Sequence, residues 1–183
     1  PMGFGASDPL VEAVLMVTLN ALAIGVLYWL LALWFGRRVA VAGAALYAVS
    51  PAAIVAARSA WNPAPAPLFL LLAVLGLAQT RRQRDGRWLV LVGFGLGCLL
   101  QFHYFTAAIV GVCLAFAAYE TIRSRLYAWA LAGAVTFIAL LLPLTVHELA
   151  AGFPNVQAAA SLAGATQLAQ DSLSIPAALD YLE

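Results

Sequence analysis

The sequence predicts an all-α fold, a polytopic bundle of transmembrane helices with about six membrane segments and a short outer C-terminal segment. Three observations carry that expectation. Of the 183 residues, 64% are hydrophobic and only 9% are charged, whereas a soluble domain carries about a quarter charged residues. The mean hydropathy is +0.95. The apolar residues fall into runs long enough to cross a hydrocarbon core of about 30 Å, and the arginines stand between the runs.

The first run spans residues 9–35. Asp8 is placed to cap it, Pro9 takes the first helical position and Glu12 sits in the opening turn. Arg37 and Arg38 close it. A second run, 39–57, ends at Arg58, and a third, 61–80, stops at the sequence RRQRDGR. The stretch 88–119 carries no formal charge and is too long for one ordinary span, so it divides near QFHYF into segments 88–101 and 105–119. The last run, 126–147, gives way to residues 149–183, expected as an outer loop with short helices.

Arginine positions test this division, because basic residues favour the cytoplasmic side. If 88–119 is a hairpin, eight arginines share one side and only Arg58 lies on the other; as a single span it leaves six against three. The hairpin is preferred, and it places both ends of the chain outside. The basic residues are all arginine, and a net charge of +1 points to no nucleic-acid partner. The opening PMGFGASDPL has neither a basic n-region nor a cleavage site, so the chain is expected to begin and end inside a larger protein.

Cys98 and Cys113 lie in apolar runs and read as small buried hydrophobes that are not disulfide-bonded. Gly93 and Gly97 form a GxxxG pattern suited to close helix packing, while Asn20 and Gln101 read as hydrogen bonds between helices.

The stretch ARSAWNPAPAP, 57–67, is the most unusual. Its alternating prolines favour an extended, stiff segment, tolerated at an interface or beside a wet cavity but not in lipid. Arg58 either snorkels to the headgroups or binds an anion, since its planar fork suits a phosphate. Trp61 is an interfacial belt residue or a platform for a sugar or lipid. Asn62 begins a turn or presents its amide to a hydroxylated substrate. His103 and Tyr104, at the hairpin turn, share the side of Arg58, where His103 is structural or lines a cleft. Glu148 caps a loop or meets a metal or a substrate hydroxyl.

The order of GRRVAVAGAALYAVSPAAIVAARSAWNP, GRWLVLVGFGLGCLLQFHYFTAAIVG and LLLPLTVHELAAGFPN resembles the GT-C superfamily of membrane glycosyltransferases. Within it the chain is most similar to glycosyltransferase family 39, which includes protein mannosyltransferases and the aminoarabinose transferase of lipid A. Ser50, Pro51, Arg58, Trp61, Asn62 and Pro63 resemble the pattern of its bacterial branch. The resemblance implies an integral protein of the bacterial inner membrane. It would move a sugar from a polyprenyl-phosphate donor to an acceptor on the outer face, with inversion.

From the residues themselves, Arg58, Trp61, Asn62, His103, Tyr104 and Glu148 are the substrate-binding candidates, with Arg58 expected at the donor phosphate. The resemblance places the catalytic acid in an outer loop upstream of this chain, so the catalytic residue is unknown here. No cofactor is certain; a divalent metal ion is the one candidate. Two other functions compete: a transporter or lipid-flippase segment, disfavoured by the absence of charge deep inside any span, and a noncatalytic membrane scaffold.

Overall fold

The computed structural model describes residues 9–58, 64–102 and 106–153, together with 157, 160 and 161. These residues are mostly helical, with no strand among them. The chain divides into two compact units, Pro1–Leu141 and Leu142–Glu183.

Helix α1 spans Pro9–Phe35 and α2 spans Arg37–Ala48, joined by the single residue Gly36. Gly36 has φ +84°, a backbone conformation open to glycine at little cost, and it lets the chain reverse in one residue. The run expected as one span over 39–57 lies in two helices, α2 and α3 (Pro51–Arg58), bent by 57° at the break. The cause is local. Pro51 has no N–H to donate to the carbonyl of Tyr47, and that carbonyl instead accepts from the N–H of Ser50 at 3.1 Å.

Helix α4 spans Ala66–Gln83 and begins with Pro67 in its first turn, where a missing N–H costs nothing. It packs against α5, Trp88–Phe102, and α6, Ala107–Ser124, returns beside α5. The core of the first unit lies here, with Phe69, Ala73, Leu96, Leu99, Val110 and Cys113 buried together. Phe69 stacks on Phe102 with ring centroids 5.3 Å apart. Cys98 and Cys113 are free thiols within or beside this cluster. By contrast α7, Tyr127–Ala151, exposes most of its residues and α1 about half, and the large exposed ones are apolar, among them Leu15, Val17, Trp29, Leu131 and Ile138. Those are surfaces for lipid.

Among the described residues three helices, α1, α6 and α7, are long and apolar enough to cross a membrane, and the bent α2–α3 pair counted as one span makes four. Helix α5 is apolar but only 15 residues long, about 22 Å at 1.5 Å per residue. The protein is an integral membrane protein whose central helices are screened by more lipid-accessible ones.

Between helices in lipid there is no hydrophobic driving force, so close packing and hydrogen bonds must hold the bundle. Gly93 and Gly97 serve as the GxxxG pattern predicts. A side chain at Gly93 would run into the carbonyl of Gly133 on α7, and one at Gly97 would meet Leu140. Gln101 makes the expected bond between helices, donating from Nε2 to the carbonyl of Leu140 at 2.8 Å.

The arginine-rich end of this unit is tied together. Helices α4 and α6 finish alike: Thr80 and Thr121 are buried, each hydroxyl bonding the carbonyl four residues back, and the arginine four residues on is left-handed. Arg84 thus donates its N–H to Thr80 at 2.9 Å. Glu120, only 3% exposed, meets Arg81 at 3.6 Å. The Arg81 guanidinium also lies 5.8 Å from the Phe116 ring centre. Trp88 donates to Gln83 and packs edge-on against Trp29 of α1.

Candidate functional site

The site begins with the break between α2 and α3. Because Pro51 turns the chain aside, α3 packs against α1 and leaves a groove between them of about 230 Å³. Val17, Asn20 and Ile24 of α1 form one wall, Tyr47 stands at the end of α2, and Ile54 and Arg58 of α3 form the other. The volume equals about eight waters in the liquid, the scale of a headgroup and not of a long lipid chain.

Three polar side chains line this otherwise apolar groove. Arg58 is exposed and forms no ion pair among the described residues. Its guanidinium offers a fork of donors. Tyr47, half-buried, brings a phenol. Asn20 is 6% exposed; its amide nitrogen donates to the carbonyl of Met16 at 3.0 Å, while Oδ1 accepts nothing among the described residues. An unsatisfied buried acceptor costs about 1–3 kcal/mol. Asn20 stands eleven residues into α1, about 16 Å from its start, a depth at which a polar side chain is a functional candidate.

The expectation that Asn20 bonds across helices is therefore corrected: its only bond among the described residues is to its own helix, and a groove lies beside it. Sequence reading did not single out Tyr47 at all. Its one signal was its position four residues before Pro51, which fixes it at the break.

Of the six residues expected to bind substrate, two are among those described. Arg58 lines the groove of the first unit, and Glu148 is buried near the end of α7 in the second. Trp61, Asn62, His103 and Tyr104 lie outside the described residues, as does Asp8. Among the described residues no three His, Cys, Asp or Glu side chains come together as a metal would require. Chemically, the groove can take an anion at Arg58 and a hydroxyl at Asn20.

Residues 7–147 match the family model described as dolichyl-phosphate-mannose-protein mannosyltransferase. No curated protein and no solved structure matches the chain.

Proposed function

The chain belongs to the dolichyl-phosphate-mannose-protein mannosyltransferase family, a family of GT-C membrane glycosyltransferases, and we propose that it binds a polyprenyl-phosphate-linked sugar whose phosphate meets Arg58. The observation that carries this reading is the groove in which Arg58, Tyr47 and Asn20 line one apolar cleft. The phosphate of such a donor matches the guanidinium fork. A sugar hydroxyl would satisfy Asn20 Oδ1, which the fold leaves unbonded. The polyprenyl chain would run along the lipid-accessible surface, since the groove holds a headgroup only.

The transfer has a definite electron balance. A carboxylate takes the proton of the acceptor hydroxyl, the acceptor oxygen attacks the anomeric carbon, and the bond from that carbon to the phosphate oxygen breaks. The electron pair leaves with the polyprenyl phosphate, and Arg58 stabilises the charge that develops there. Arginine count supports the orientation: eight of nine arginines would face the cytoplasm of a bacterial inner membrane, with the groove and both chain ends toward the outer face.

Binding of a short polyprenyl phosphate to the purified chain tests the reading. Arg58→Ala is expected to weaken it at least tenfold, from the loss of a charged hydrogen bond of about 1.5–3 kcal/mol. Arg58→Lys should recover part of that loss, because an ammonium keeps the charge without the fork. Equal affinity in wild type and Arg58→Ala would reduce Arg58 to a snorkelling anchor.

A further inference from the structure

A second groove, of about 640 Å³, opens at the arginine-rich end. Helix α4 lines it with Leu77, Arg81 and Arg82, while Leu33 and Trp34 of α1 and Phe116 of α6 line its sides. Its interior is apolar and its two polar lining residues are both arginines.

We propose that this groove is a binding site for an anionic phospholipid, with an acyl chain along α4 and the headgroup phosphate held by Arg81 and Arg82. Charge identifies the occupant. Arg81 is opposed by Glu120 at 3.6 Å, whereas Arg82 has no acid among the described residues, so the pair of arginines and Glu120 leaves one net positive charge. A phosphodiester carries one negative charge, and a zwitterionic headgroup does not meet that demand. Arg81 is also held in place: Glu120 lies against it and Phe116 lies beneath its guanidinium, yet 59% of its side chain remains exposed. Its donors stay available at a fixed position.

Trp34, 55% exposed on the facing wall, supplies the amphipathic ring that settles at headgroup level. The arginine-rich end is also the end expected on the cytoplasmic side, where anionic lipids are enriched and basic pockets between membrane helices take their headgroups. This site is separate from the Arg58 groove and does not depend on transfer chemistry.

Native mass spectrometry of the delipidated chain, titrated with phosphatidylglycerol or phosphatidylcholine of the same acyl chains, tests the proposal. Phosphatidylglycerol is expected to bind at least fivefold more tightly, and Arg82→Gln should remove about fivefold, the effect of one arginine near an anionic headgroup. Arg125→Gln, which removes an arginine not lining the groove, should leave the affinity unchanged. Ala78→Phe, which narrows the groove while keeping both arginines, should also weaken binding. Equal affinity for the two lipids, equal losses in Arg82→Gln and Arg125→Gln, or full binding in Ala78→Phe would each overturn the lipid site. So would displacement of phosphatidylglycerol by equimolar inorganic phosphate, which would make the arginines a site for any free anion.

Discussion

The two ends of the first unit solve the same problem in opposite ways. At the arginine-rich end, buried polar groups have partners among the described residues: Thr80 and Thr121 bond backward, and the Glu120 carboxylate, whose Oε1 accepts no hydrogen bond, has the Arg81 charge 3.6 Å away. At the other end, Asn20 is nearly as buried, but its oxygen has no partner among the described residues and a groove opens beside it. A buried group held by a partner in the protein describes a structural end. A neutral one left without any, in a medium that offers no water, describes a place prepared for something else.

The largest test of this contrast is Arg81→Ala, which strands the carboxylate of Glu120. Breaking a fully buried pair costs about 3–5 kcal/mol, and because Arg81 is 59% exposed the loss here should be nearer 2 kcal/mol. Adding Glu120→Gln should recover most of it. Thermal unfolding in detergent would read both, and a single variant as stable as wild type would show that the pair holds nothing together.

Asn20→Leu should act the other way. Removing an unsatisfied acceptor should leave stability unchanged or raise it by about 1 kcal/mol, while polyprenyl-phosphate-sugar binding weakens. The same two measurements decide it; a loss of stability together with intact binding would make Asn20 a packing residue and erase the contrast.

Arg58→Ala should shift the unfolding temperature least among the polar variants, since the side chain is exposed and forms no ion pair among the described residues. A large drop would mean that Arg58 holds α3 in place. Arg84→Gly should act in the stabilising direction. Arg84 has φ +53° at the end of α4, and glycine there should stabilise the chain by up to about 1 kcal/mol, readable as a small rise in unfolding temperature. A fall would show that the arginine side chain itself secures that turn.

Much of the helix pattern was legible because each boundary has a local cause. Asp8, Pro9 and Glu12 announce α1, Arg37 and Arg38 announce its end, and the cluster from Arg81 to Arg87 announces the end of α4, which runs on to Gln83 before the break to α5. Gly93 and Gly97 announced a close contact, though not that Gly133 would receive it. The bend at Pro51 was less legible, since Ser-Pro within an apolar run fits one continuous span as well as a broken one. The groove was not legible at all. Asn20 and Arg58 are 38 positions apart in sequence, and only the direction taken by α3 after the break brings them to one cleft. Glu120 was hidden in the same way: in sequence it opens a polar connection, and its burial depends on α4 packing beside α6.

The central pair α4 and α5 has a consequence for how the protein is made. Helix α5 has 15 residues, α4 ends in TRRQ, and neither is long and apolar enough to count as a crossing segment by itself. During synthesis each would reach the insertion channel as a poor candidate for release into lipid. The turn at Asp85, whose carboxylate accepts the Arg87 N–H at 3.0 Å, ties them into a hairpin while both are still close to the channel. Partitioning is then a decision made for two segments together, after α1 has already entered the bilayer as the wall against which they can settle.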